Sequence, residues 1–266
     1  MQGNMPEAPE LRLERDGEIG FVIASNPARM NALTAAMWKA LPAVVTEAEN
    51  DPAIRVIVLR GAGTRAFSAG ADISEFDSAR SGDKAADYDA LNDAAFKALS
   101  RCAKPTLSMI HGFCLGGGLG LALCTDLRIA DDNAEFAIPA AKLGLGYNAR
   151  WVRPLLAAVP PSRAKEMLFT ARRFKVAEAQ AMGLVNAVVP AAELEARTRV
   201  LAQEIAANAP LTVRAAKRVI DELVRHPETP DMKALDAAID ACFTSEDYAE
   251  GRHAFLEKRK PRFQGR

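Results

Sequence analysis

The residues best suited to chemistry lie in two glycine-bearing stretches. One is His111-Gly112-Phe113-Cys114-Leu115-Gly116-Gly117-Gly118-Leu119-Gly120 and the other Phe67-Ser68-Ala69-Gly70-Ala71-Asp72-Ile73. Consecutive glycines let a backbone turn sharply and let a ligand come close. The first N–H groups of a helix have no intrahelical acceptor and sit at the positive end of its dipole. A triple glycine at a strand-to-helix junction therefore offers bare donors to a negative atom. That atom is either a phosphate oxygen or an oxyanion formed during a reaction. A tight turn without a ligand explains the triplet alone equally well. His111, just before it, reads as a buried histidine held by a backbone hydrogen bond. His226 and His253 fall in exposed helical contexts. No metal-ligand spacing occurs, and Gly61-Ala62-Gly63 is not a dinucleotide fingerprint.

The elements that must position these stretches follow from apolar periodicity. Ile19 to Ser25 reads as a strand ended by the Asn26-Pro27 turn. A helix is expected from about Thr34 to Asn50, then a buried strand over Ile54 to Leu59. Residues 74 to 90 are polar and read as a mobile surface segment, with a helix at about 88 to 101. Pro105 to Ile110 is a buried strand, Leu119 to Cys124 an apolar helix and Leu127 to Ala130 another strand. Phe136 to Asn148 is loop-rich. Helices then dominate, at about 162–170, 176–182, 191–208, 210–225, 232–242 and 245–257. Thr244 with Asp247 reads as the N-terminal cap of the last. Strands alternating with helices, then helices alone, spell an α/β core with a helical C-terminal appendage. The division expected is 1–195 for the core and 196–266 for the appendage.

Hydrophobic residues make up 49% of the 266, ample for a sizeable core. Lys+Arg and Asp+Glu balance at 34 each, which favours neither a nucleic-acid nor an acidic partner. Cys102, Cys114, Cys124 and Cys242 lack CxxC spacing and read as reduced core thiols, so a cytoplasmic protein is expected. Met1 to Glu10 has no signal-peptide pattern. No apolar run reaches membrane-spanning length.

Taken together, the two glycine stretches resemble the enoyl-CoA hydratase/isomerase (crotonase) superfamily. The similarity continues in Asn31-Ala32-Leu33, Cys124-Thr125-Asp126-Leu127-Arg128-Ile129-Ala130, Ala181-Met182-Gly183-Leu184-Val185-Asn186 and Phe255-Leu256-Glu257-Lys258-Arg259-Lys260-Pro261. It implies a spiral of ββα turns, a C-terminal helical trimerisation region, and trimers or dimers of trimers. It implies an acyl-CoA substrate and no other cofactor. By the family pattern the N–H groups of Ala71 and Gly117 point at the thioester oxygen, where an enolate's charge would collect. Ala69, Ala71, Asp72, Ile73, Leu115 and Gly117 then line the acyl-CoA site. Arg29 and Met30 sit where the family meets the CoA nucleotide. Phe255 and Lys258 sit where a C-terminal helix, often a neighbour's, meets the CoA phosphates. Plainer readings stand beside these: Arg29 and Lys258 as surface charges, Phe255 as core packing, Asp72 and Asp126 as braces.

The family's acid-base residues are missing. Hydratases of this kind use two glutamates; the matching positions hold Gly120 and Ala140 here, and neither can move a proton. The aspartate nucleophile of aromatic dehalogenases is replaced by Asn148. The loop Leu143-Gly144-Leu145-Gly146-Tyr147-Asn148 instead resembles methylmalonyl-CoA decarboxylase, as does Ser245 to Gly251. In that reading the substrate's own carboxylate departs as carbon dioxide and Tyr147 orients it. Ala71 stands where that enzyme has histidine, which weakens the case for methylmalonyl-CoA itself. Trp151 is expected to reshape the acyl pocket. Arg150 reads either as a carboxylate partner or as a surface residue, and Tyr147 as a catalytic group or a pocket wall. Three functions stay open: a decarboxylating lyase, a hydratase or isomerase with unorthodox groups, and an acyl-CoA-binding protein without turnover.

Overall fold

The computed structural model describes residues 8–75 and 84–266. Its first layer is a six-stranded sheet built from β1 (Glu10–Asp16), β2 (Ile19–Ser25), β3 (Val56–Gly61), β5 (Thr106–Ile110), β7 (Leu127–Asp131) and β10 (Ala187–Val189), in that spatial order. All neighbours run parallel except β1 and β2. A second sheet orders β4 (Ala66–Ser68), β6 (Phe113–Leu115), β8 (Glu135–Ala137) and β9 (Phe174–Lys175). The chain gives β3, β5 and β7 to the first sheet and, directly after each, β4, β6 and β8 to the second. Each pair is followed by a helix, so the α/β core is a spiral of ββα turns.

Helices α1 (Ala35–Asn50), α2 (Lys84–Arg101), α3 (Gly117–Leu123), α4 (Ala149–Ala158), α5 (Pro161–Thr170) and α6 (Val176–Ala181) wrap this core. α7 (Leu194–Ala206) lays Leu194, Ala202 and Ala206 on the outer face of the six-stranded sheet, against Phe21, Val58 and Met109. The expected boundary at 195 therefore falls inside a helix that packs on the sheet. α8 (Pro210–Arg225), α9 (Met232–Phe243) and α10 (Glu246–Leu256) follow.

Several expectations change. The strand after Pro52 starts at Val56 and not at Ile54, because a turn takes the residues between: Ile54 N–H donates to Asp51 O at 3.0 Å. β1, β6, β8, β9 and β10 are too short or too polar to stand out from periodicity. α4 is hidden in the sequence by Pro154, which it carries inside. α10 is capped by Ser245, whose hydroxyl accepts from Tyr248 N–H at 3.0 Å, and not by Thr244. Of the segment expected to be a mobile surface, residues 76–83 lie outside the described residues and Lys84 onward is helical. Among the described residues no helix is long and apolar enough to cross a membrane.

Candidate active site

β4, β6 and β8 are adjacent and parallel, with Ala66 beside Phe113 and Leu115 beside Ala137. Their C-terminal ends therefore open side by side, the usual place for a ligand in parallel α/β sheets. Three loops meet there: Ala69 to Ile73 after β4, Gly116 after β6, and Ile138 to Tyr147 after β8. Between them lies a cavity of about 100 Å³.

The first loop is locked by a short parallel bridge to Leu33. Leu33 N–H donates to Gly70 O at 2.7 Å and Asp72 N–H donates to Leu33 O at 2.9 Å. This pairing uses the peptide groups flanking Ala71 and leaves Ala71's own N–H turned away from Leu33. Gly70 has a left-handed φ of +97°, and a Cβ there would lie 2.8 Å from Leu115 O and 3.2 Å from Gly117 N. Only glycine lets the two loops approach this closely. Gly117 opens α3, and a Cβ on it would lie 3.7 Å from Ala71 N. Among the described residues neither Ala71 N–H nor Gly117 N–H has a hydrogen-bond acceptor. The site thus brings together two free backbone donors over one small cavity.

The cavity walls are aromatic. Phe96 of α2 stands edge-on between Trp38 (centroids 5.7 Å apart) and Trp151 (6.0 Å). Tyr147 stands edge-on to Trp151 at 5.7 Å. Trp151 donates its indole N–H to Asp93 Oδ1 at 2.7 Å. Arg150 pairs with the other oxygen of the same carboxylate. Arg150 is thus committed to Asp93, and Asn148 caps α4 by accepting from Arg150 N–H at 3.0 Å. Gly120 faces the same cluster: a Cβ there would lie 2.7 Å from Phe96 Cζ. Ala140 is buried and lines the cavity. Burial raises the Tyr147 phenol above its ordinary value, so it stays protonated.

Of the residues singled out from sequence, Ala69, Ala71, Ile73, Gly117 and Tyr147 line the cavity, and so does Trp151. Arg29, Met30, Asp72, Leu115, Phe255 and Lys258 do not. Asp72 is buried and accepts from Ser74 N–H and Oγ, bracing the turn Ile73–Glu75, with Arg29 at 3.4 Å. Leu115 offers its carbonyl to the close approach at Gly70. Phe255 is 84% exposed, which overturns core packing within the chain. Lys258 lies just past α10 with φ +55°. Asp126 braces the sheet, accepting from Thr106 N–H at 2.7 Å and Lys217 Nζ at 2.8 Å. His111 lies outside the cavity; burial, with Arg60 nearby, pushes its pKa down to about 4. Burial pushes the Cys102 thiol up to about 11 and the Cys124 thiol up to about 12, so both stay protonated and inert.

Sequence reasoning misses Trp38, Asn92 and Phe96. Asn92 and Phe96 are four residues apart, on one face of α2. Their buried stripe is legible in the sequence, but not what it faces.

Comparison with known proteins gives one answer. The enoyl-CoA hydratase/isomerase family matches residues 14–266. A short-chain-enoyl-CoA hydratase of Clostridium acetobutylicum is 34% identical over 96% of this chain and 97% of its own. A carnitinyl-CoA dehydratase of Escherichia coli K12 is also 34% identical, over 96% of this chain and 98% of its own. The crystal structure of an enoyl-CoA hydratase/carnithine racemase from Magnetospirillum magneticum superposes with a TM-score of 0.90 at 36% identity, covering 96% of each chain.

Proposed function

The chain belongs to the enoyl-CoA hydratase/isomerase family, and from that premise we propose that it is an acyl-CoA lyase that decarboxylates a malonyl-type thioester. The observation that carries the reading is a cavity with two free N–H donors at one end and, among the described residues lining it, neither carboxylate nor imidazole. Ala71 and Gly117 are assigned as the oxyanion hole. When the bond between the α-carbon and the departing carboxylate breaks, its electron pair moves into the thioester and charge collects on the thioester oxygen. Two preorganised donors there contribute roughly 3 kcal/mol each to lowering the barrier. Carbon dioxide leaves without help from a base, and the α-carbon then takes a proton. A glutamate at 120 or 140 would repel the substrate carboxylate. Tyr147, protonated and without a hydrogen-bond partner among the described residues, donates to that carboxylate and orients it.

The assignment extends to coenzyme A, which is part of the substrate; no resident cofactor or metal is proposed. Arg29, Met30, Ala69, Asp72, Ile73 and Leu115 are assigned to the CoA and acyl contacts. Phe255 and Lys258 are assigned to CoA contact across a subunit boundary, in a homotrimer or dimer of trimers. A cytoplasmic location goes with this reading and with free cysteines.

A second reading, hydration or dehydration, is favoured by the names of the relatives, which are hydratases and a dehydratase. Incubating the protein with malonyl-type and enoyl-CoA thioesters, followed by mass spectrometry, separates the two. Loss of carbon dioxide is expected. Hydration of crotonyl-CoA at rates ordinary for such enzymes would overturn the inference drawn from Gly120 and Ala140. Binding without turnover of any thioester would leave an acyl-CoA carrier.

A further inference from the structure

One polar side chain in the cavity has no part in the chemistry so far. Asn92 on α2 is only 5% exposed and lines the cavity beside Phe96 and Tyr147. Its Nδ2 donates to Tyr88 O, one helical turn back, at 2.9 Å. A backbone carbonyl only accepts, so the amide end facing Tyr88 is the NH₂ and the other end is Oδ1. Oδ1 accepts from no group among the described residues. A polar atom that borders a cavity and has no partner within the chain is ordinarily paired by water or ligand. The rest of the stripe on this face, Ala95, Phe96 and Leu99, is apolar core. A leucine would serve packing at 92 equally well.

We infer that Asn92 is a positioning residue whose Oδ1 seats the water that protonates the enolate carbon; this rests on the decarboxylation reading. After carbon dioxide departs, the α-carbon needs a proton. Among the described residues lining the cavity only Tyr147 titrates, and a tyrosinate left there by proton transfer would have no positive partner among them, whereas hydroxide is consumed by the released carbon dioxide. Water is the remaining donor. A water that gives one hydrogen to Asn92 Oδ1 is held at that wall, with its other hydrogen confined to a cone about the bond. That O–H bond breaks as the new C–H bond forms, and the hydroxide leaves to combine with the released carbon dioxide as bicarbonate. Because the water sits on one wall, the proton arrives on one face of the enolate.

The test is turnover of 2-methylmalonyl-CoA and longer 2-alkylmalonyl-CoA thioesters in D₂O by the full-length protein. The wild type is expected to yield a product with one deuterium at the α-carbon in a single configuration. Asn92→Leu, similar in volume but without the acceptor, should lower kcat tenfold or more with KM nearly unchanged, and give both configurations. Asn92→Ser, which keeps an oxygen, should recover the single configuration. If the leucine variant does not fold, Asn92→Ala is read in the same way. A variant without the acceptor that keeps both the rate and the single configuration overturns the role of Asn92 alone. A wild type that releases no carbon dioxide from any of these thioesters overturns the decarboxylation reading and this inference with it.

Discussion

At the scale of single residues, Gly120 is where an absent side chain says most. The place that a side chain at 120 would take is filled by the Phe96 ring, 2.7 Å from the position of a Cβ. Placing a carboxylate there by Gly120→Glu should destabilise the fold by about 1–3 kcal/mol through overpacking alone. Phe96→Ala alone should cost about 3–5 kcal/mol. The double variant should fall short of the sum of the two by about 1 kcal/mol or more, because the cavity left by one receives the other. Urea denaturation of the four proteins checks this, and strict additivity would show that the two positions do not share space. Tyr147→Phe keeps the edge-on contact with Trp151 and removes only the hydroxyl. If that hydroxyl bonds the substrate carboxylate, kcat for decarboxylation should fall about tenfold to a hundredfold; an undiminished rate removes Tyr147 from the mechanism. His111 bears on stability. Its folded-state pKa is depressed from 6.5 to about 4, so the unfolded chain binds the proton more readily. Stability is therefore full above about pH 6.5 and is lost as pH falls toward 4, by at most about 3 kcal/mol. His111→Gln should flatten the fall of Tm between pH 7 and pH 5; an unchanged slope would assign that acid sensitivity to other groups.

At the scale of elements, the site depends on how loops are tied to each other. Asn31 does much of this. It adopts a left-handed φ of +54°, which asparagine tolerates better than most residues. Its side chain accepts from Asn26 N–H at 3.0 Å and donates to Ala62 O at 2.9 Å and Ala66 O at 2.7 Å. One buried amide thus joins the loop after β2 to both ends of the β3–β4 connection, and β4 leads straight into Ala69 to Ile73. Asn31→Ala should cost about 3 kcal/mol or more, since it strands two buried backbone groups and a half-buried one. It should also weaken acyl-CoA binding by loosening the loop that carries Ala71. Chemical denaturation and calorimetric titration with an acyl-CoA measure the two effects, and a loss under about 1 kcal/mol would show the latch to be redundant. Asn31-Ala32-Leu33 is legible as a motif. Its use as a latch is not, because the two carbonyls it holds lie more than thirty residues away in sequence.

At the scale of the molecule, the C-terminal helices expose a broad apolar face. Ile220 on α8, Phe243 on α9 and Phe255 on α10 are all more than half exposed, around a groove of about 830 Å³. Large apolar side chains scattered singly need no explanation, but a cluster of them around one groove marks an interaction surface. Its proposed role is contact between copies. Phe255→Asp with Phe243→Asp should convert a trimer or hexamer to monomers in sedimentation velocity and weaken acyl-CoA affinity. A wild-type chain that sediments as a monomer would sink the assembly and the assignment of Phe255 and Lys258 with it.

The sequence by itself determined the class of fold, the family, the two loops that carry Ala71 and Gly117, and the presence of glycine at 120 and alanine at 140, where no carboxylate can act. Those are properties of local residue types and spacings. Only the tertiary structure decided which groups meet in the cavity. That Phe96 fills the space at Gly120, that Asp93 ties down Arg150 and Trp151, and that Asn92 lines the cavity all depend on α2 lying across α3 and α4. Contacts between helices far apart in the chain are set by packing against a shared core, and no periodicity within any one of them encodes its neighbour.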